Sequence, residues 1–273
     1  MATVIIAGWN HVCSAQMSCN GVISGTINSG VVCSGDCVLD NATISGNVQC
    51  SSGTLLAKGN SFISGSILLD GSVTRAELDD VTVLGVVDVK SATSLTELVI
   101  KESASLGSLI VDNTPGDVIV AGSLTDFTHT GSGNVFANNL SILSSISVKG
   151  GNGTIEFCGS SIGGLVVEEH EGNVEINANN INCTPTTLDG GFSASKGFGR
   201  VRLIGAIIPS GDFIVLEYVG DITFQETQVS DMKLEKNNGS LTICDVQTKL
   251  HDRYWSRRKC SGKRLECLGR LCC

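Results

Sequence analysis

The chain has 273 residues, with 33 glycines, three prolines, 12 cysteines and only 4% aromatic residues. Charged residues make up 16% of the sequence, against roughly 25% in an average soluble domain, and the formal net charge is −9. No apolar run reaches about 18 residues, so we expect no membrane span, and no motif indicates a cofactor.

A short motif repeats through the first half of the chain. Ile23-Ser24-Gly25 returns as Ile44-Ser45-Gly46 and Ile63-Ser64-Gly65, then loosens to Val83-Leu84-Gly85 and Ser105-Leu106-Gly107. The five glycines are separated by 21, 19, 20 and 22 residues, and a short alternating apolar run follows each. Alternation indicates strands, and glycine, which reaches backbone angles that other residues avoid, indicates corners. The period predicts stacked strand–corner–strand coils.

These observations predict an all-β fold: a parallel β-helix (β-solenoid), right-handed, with about 20 residues per coil and about 11 coils. Residues 1–20 are predicted to be an N-terminal cap, residues 21–244 the solenoid and residues 245–273 a basic, cysteine-rich tail. Residues 184–199 break the period and are predicted to leave the solenoid as a loop. Ile23, Ile44, Ile63 and Val83 are predicted to stack in one interior column.

Five cysteines lie in the first 50 residues, and their spacing matches the coil. Cys13 and Cys33 are 20 residues apart, and Cys19 and Cys37 are 18 apart. Residues one coil apart stack at about 4.8 Å, which a disulfide tolerates. We therefore expect intramolecular disulfides Cys13–Cys33 and Cys19–Cys37. The alternative is that these are small buried thiols, and Cys50 has no obvious partner within the chain.

The tail differs from the rest of the chain in charge. Residues 1–244 hold ten Lys and Arg against 24 Asp and Glu, a net charge of −14, whereas residues 245–273 have a net charge of +5. Electrostatic assembly is predicted to use six cations of the tail: Arg253, Arg257, Arg258, Lys259, Lys263 and Arg264. Intersubunit disulfides are predicted from Cys50, Cys260, Cys267, Cys272 and Cys273. A zinc site and nucleic-acid binding are alternatives for the tail; we expect no metal and no nucleic acid.

Twelve cysteines favour an oxidising setting, such as the extracellular space, a cell surface or a virion. Five sequons fit secretion, although a chain rich in Asn, Ser and Thr also produces sequons by chance. The candidate glycosylation sites are Asn41, Asn139, Asn152, Asn182 and Asn238.

Catalysis is the main alternative, because polysaccharide lyases and hydrolases also use parallel β-helices. Such enzymes need carboxylates on adjacent coils with a basic residue beside them. Arg200 and Arg202 alternate along one strand, but the period places no carboxylate pair a coil above or below them. Glu168-Glu169-His170-Glu171 is predicted to be a turn tip. We therefore expect no catalytic residues.

The Ile-Ser-Gly periodicity over residues 20–110 resembles that of the bactofilins, polymer-forming β-helical filament proteins. The resemblance implies a tendency to assemble end to end. The prediction is a structural, self-assembling β-solenoid whose partner is itself, forming disulfide-stabilised filaments or a surface or particle assembly. A carbohydrate-active enzyme or sugar-binding protein is the alternative.

Overall fold

The computed structural model describes residues 16–177, 183–244 and 246–248. All regular secondary structure within them is β-strand, and the strands pair in parallel. Coils of roughly 20 residues, about 11 in number, form the predicted β-solenoid architecture, which is thereby confirmed. The predicted cap and tail lie almost wholly outside the described residues.

The described residues form 21 strands. In chain order these are β1 (Met17–Ile27), β2 (Val31–Ile44), β3 (Val48–Lys58), β4 (Ser61–Ile63), β5 (Ile67–Leu78), β6 (Val81–Lys90), β7 (Glu97–Ile100), β8 (Ser105–Asp112), β9 (Asp117–Thr130), β10 (Val135–Lys149), β11 (Ile155–Cys158), β12 (Ser161–Glu168), β13 (Val174–Ile176), β14 (Thr187–Leu188), β15 (Phe192–Ser195), β16 (Val201–Ile204), β17 (Ile207–Leu216), β18 (Ile222–Gln225), β19 (Gln228–Glu235), β20 (Leu241–Cys244) and β21 (Gln247–Thr248).

The chain divides into two compact units, Met1–Leu143 and Ser144–Cys273. In the first unit, strands of successive coils pair in register, as β2 does with β3 and β4 with β6. In the second, β13 pairs with β16, and β16 with β18. Alternate side chains point inward in both units, and the inward ones are apolar and buried.

One predicted interior column differs from the structure in its first member. Ile44, Ile63 and Val83 stack directly on one another and are almost completely buried. Ile23, however, pairs with Leu39, and the residue that stacks on Ile44 is Ile27. The first coil is offset because its strand carries register shifts before and after Ile23, which an even 20-residue period does not include.

The repeated glycines have a different role from the one predicted. Gly46, Gly65, Gly85 and Gly107 stack on one another, and a Cβ on any of them would meet backbone atoms of the preceding coil. For Gly65, the Gly46 carbonyl oxygen would be 2.6 Å away. Left-handed corners are instead occupied by residues such as Asn41, Asn60 and Asp80, whose φ angles are 51°, 58° and 56°. Close packing between coils, rather than backbone freedom, thus explains the repeated glycine.

The predicted loop over residues 184–199 is wrong. This segment contains β14 and β15, which pair in parallel with β12 and with β17. Its glycines are suited to close approach between coils; a Cβ on Gly190, for instance, would clash with the Gly163 carbonyl oxygen. The extra length of this coil lies before β14, around residues 178–182, which the structure does not describe.

Candidate functional site

Three cysteines line one interior column of the first unit. Cys19 on β1 pairs in register with Cys33 on β2, and Cys33 pairs in register with Cys50 on β3. Each sits at an inward position of an alternating strand, so its side chain points into the core. Cys33 and Cys50 have no exposed surface, and Cys19 is 3% exposed. The next coil continues the column with Leu69.

A fourth buried cysteine, Cys37, lies on β2 and forms a disulfide with Cys19 across adjacent coils. Their Cα atoms are 5.9 Å apart, within the range of ordinary disulfides. The Sγ atoms of Cys19, Cys33 and Cys37 all lie within 4.8 Å of one another. The structure therefore gathers one disulfide and the Cys33 thiol in a single interior cluster.

Cys33 and Cys50 are thiols, and Cys50 hydrogen-bonds Cys33. This bond and burial raise the pKa of Cys50 far above its ordinary value, because both favour the neutral thiol over the thiolate. A buried, protonated thiol is a poor nucleophile. The complete burial of Cys50 argues against its predicted bond to a neighbouring subunit, since another chain does not reach it in the closed solenoid.

Three clustered thiolates are a donor set that suits zinc or copper(I). Two of the three candidate sulfurs, those of Cys19 and Cys37, are consumed by their mutual bond. In the disulfide form only the Cys33 sulfur of this set is left to donate. The cluster is therefore a covalent staple in this state rather than a metal centre.

The second unit contains a disulfide that the sequence did not suggest, between Cys158 and Cys183, with Cα atoms 5.3 Å apart. The two cysteines are 25 residues apart, longer than the average coil. The signal was present, because they are the only two cysteines between residues 51 and 243. Cys244 is a half-buried thiol.

Acidic and basic side chains on neighbouring coils form a ladder that the sequence interpretation missed. Glu156 on β11 pairs in register with Glu175 on β13, which pairs with Arg202 on β16. The carboxylate pair excluded from the sequence is therefore present; the lengthened coil places Arg202 27 residues after Glu175, which hid the relationship. Glu175 is only 5% exposed, and its Oε2 atom has no hydrogen-bond partner among the described residues. Such burial is unlike the open groove that binds a polysaccharide.

A charged network crosses neighbouring coils of the first unit. Lys101 Nζ lies 2.7 Å from Glu77 Oε1 and 2.8 Å from Asp79 Oδ2, and Arg75 bridges Glu77 and Glu97 at 2.7 and 3.0 Å. Hydrogen bonds from Lys101 and then Arg75 hold the pKa of Glu77 below its usual value, and Lys101 does the same for Asp79. This network fastens adjacent coils from the outside.

The last complete described coil, residues 228–244, exposes part of its core face. Its inward side chains Met232, Leu234, Leu241 and Ile243 are half-buried. Their partners one coil earlier are 3% exposed or less; these are Phe213, Val215, Ile222 and Phe224. The column of core residues thus reaches this end without being fully covered.

The remaining predicted sites divide between exposed and undescribed residues. Four candidate glycosylation sites are exposed, namely Asn41, Asn139, Asn152 and Asn238. Outside the described residues lie Cys13, Asn182, the six tail cations and the four tail cysteines. Among the described residues, no helix is long and apolar enough to cross a membrane.

Comparison of the chain with protein-family models, with curated proteins and with solved structures found no match.

Proposed function

We propose that this chain is a structural protein that assembles end to end through its coils, with coil-to-coil disulfides stabilising each subunit. The observation that carries the proposal is the half-exposed apolar core face of the coil at residues 228–244. A parallel coil ends in backbone N–H and C=O groups that accept another strand, and apolar side chains beneath them favour burial. A second copy of the chain is the occupant that we propose for this face.

Charge supports a head-to-tail arrangement of the copies. The net charge of −14 on residues 1–244 attracts the net charge of +5 on residues 245–273 of another copy. A contact between unlike ends repeats without closing unless its rotation forms a ring, so it builds linear assemblies. The bactofilin resemblance implies the same mode of assembly. An oxidising location, outside the cell or in a particle, accords with the two disulfides.

The end face is tested with paired substitutions on one strand. Ile243→Asp places a charge among the half-buried apolar side chains, whereas Thr242→Asp changes the neighbouring residue of alternate orientation. Light scattering after size-exclusion chromatography should show multimers for the parent and for Thr242→Asp, and monomers for Ile243→Asp. Circular dichroism establishes that each variant keeps its β-structure. Multimers of unchanged size in folded Ile243→Asp would show that copies do not meet at this face.

Covalent linkage through the tail is a separate part of the proposal. Removing residues 256–273 deletes all four tail cysteines and should abolish reducible multimers on a non-reducing gel, while the solenoid stays folded. If the tail instead covers the end face of its own chain, the deletion increases assembly. A parent protein that runs as a monomer without reductant contradicts the covalent linkage.

The Glu156–Glu175–Arg202 ladder favours a second candidate, a carbohydrate-active or sugar-binding protein. Paired carboxylates beside a cation are the groups that this chemistry needs. The test is a screen of acidic and neutral polysaccharides for cleavage and binding, with Glu175→Gln beside the parent. Cleavage by the parent that Glu175→Gln loses would support this candidate; binding or cleavage unchanged by Glu175→Gln would remove the ladder as its basis.

A further inference from the structure

We propose that Cys33 and Cys50 form a second coil-to-coil disulfide beside the Cys19–Cys37 bond. The two residues are register partners on adjacent parallel strands, and their thiols already hydrogen-bond each other. Neighbouring parallel strands are about 4.8 Å apart, and disulfides accept Cα separations of about 4.4–6.8 Å. The inference concerns the covalent state of the interior and does not depend on assembly.

The alternatives for Cys33 within the cluster are less favourable. Cys19 and Cys37, whose sulfurs lie near Cys33, are already bonded to each other. Cys50 is the neighbour that holds an available thiol. The resulting bonds close the overlapping segments 19–37 and 33–50, so that β1, β2 and β3 are joined in one covalent ladder.

The bond forms by ordinary thiol–disulfide exchange with a small disulfide such as oxidised glutathione. The Cys33 thiolate attacks one sulfur of glutathione disulfide, forming a mixed disulfide and releasing one glutathione. The Cys50 thiolate then attacks the Cys33 sulfur, forming the Cys33–Cys50 bond and releasing the second glutathione. The two cysteines lose two electrons and two protons, and the oxidant becomes two thiols.

Burial fixes when this reaction takes place. Neither thiol has any exposed surface in the closed coils, and the raised pKa of Cys50 suppresses its thiolate there. Oxidation therefore precedes closure of the third coil, while both thiols are still solvated. After closure, the same burial protects the bond from small reductants.

Aspartate positions make this bond directly measurable. Cleavage before Asp36, Asp40 and Asp70 gives the peptides 1–35, 36–39 and 40–69, which carry Cys33, Cys37 and Cys50 respectively. The full chain, produced in an oxidising compartment and purified without reductant, is denatured in acid and labelled with N-ethylmaleimide. It is then digested with a protease specific for aspartate, and the peptides are identified by mass spectrometry.

The expected result is an unlabelled peptide 40–69 joined by a disulfide to peptide 1–35. Release of peptide 40–69 with one label overturns the proposal. Cys33→Ser should release peptide 40–69 in labelled form, and Cys50→Ser should add one label to peptide 1–35. If peptide 40–69 stays joined in Cys33→Ser, its partner is Cys13 or Cys19, which also overturns the proposal. Cys244→Ser is the matched control and should leave the linkage unchanged.

Discussion

Gly65 packs so closely on Gly46 that a Cβ on Gly65 would lie 2.6 Å from the Gly46 carbonyl oxygen. Real Cβ atoms do not approach backbone oxygens so closely, so any side chain here forces adjacent coils apart. The repeat that defines this sequence is therefore a record of contact between neighbouring coils.

Gly65→Ala should destabilise the protein by about 1–3 kcal/mol, because the added methyl group overpacks a backbone contact. Gly164→Ala is the matched control, since the nearest atoms to a Cβ there are 3.8 Å away. The control should change stability by no more than about 0.5 kcal/mol. Urea unfolding followed by circular dichroism measures both; equal stabilities for the two variants would contradict the stacking of glycines.

Ile63→Asp should cost at least about 4 kcal/mol or prevent folding, because it places an unpaired charge in a dry core between Ile44 and Val83. Leu84→Asp provides the comparison, because Leu84 is 60% exposed on the next coil. It should remain within about 0.5 kcal/mol of the parent. The same urea titration applies, and an Ile63→Asp variant as stable as the parent would show that the register is wrong.

Glu77 should make stability depend on pH in the acidic range. Because Lys101 and Arg75 lower the pKa of Glu77 in the folded state, its contribution is complete above the ordinary glutamate value of 4.5 and disappears as pH falls through the lower folded value. Glu77→Gln should thus be less stable than the parent at pH 7 by about 1 kcal/mol, since the two cationic partners are partly solvated.

The difference between Glu77→Gln and the parent should vanish at about pH 2.5, where both side chains are neutral. Urea midpoints at several pH values measure it. Glu168→Gln serves as the comparison, because Glu168 is 50% exposed and lies 3.8 Å from Lys149. A constant difference between Glu77→Gln and the parent from pH 7 to pH 2.5 would count against the electrostatic role of Glu77.

Replacing both Cys19 and Cys37 with alanine should lower stability by about 3 kcal/mol, because the bond closes a segment of 18 residues and restricts the unfolded chain. The measurement is the urea midpoint without reductant. Reducing the parent in urea should lower its midpoint by at least as much as the double substitution does. No loss of stability in the double variant would mean that the staple is absent from the native protein.

The coil period and the strands were predictable from sequence, because stacked coils impose the same pattern of inward apolar residues about every 20 positions. The placement of Ile23 was not, since register shifts around it change the alignment by a few residues. The strands in residues 184–199 were missed because glycines that permit close coil contact have the same composition as a loop.

The candidate site was predictable only in part. Spacing identified Cys19 and Cys37 as neighbours, but the alignment of Cys33 with Cys50 required the register of β2 and β3. The ladder of Glu156, Glu175 and Arg202 spans an enlarged coil, so no constant period relates its members. Local changes in coil length decide which side chains meet, and composition does not encode them.

Negative-stain electron microscopy of the full chain, purified from an oxidising compartment without reductant, tests the proposed assembly most directly. The account predicts linear assemblies of varying length that shorten or disperse in the Ile243→Asp variant and persist in Thr242→Asp. Single particles of monomer size at all concentrations, or linear assemblies unaffected by Ile243→Asp, would contradict it.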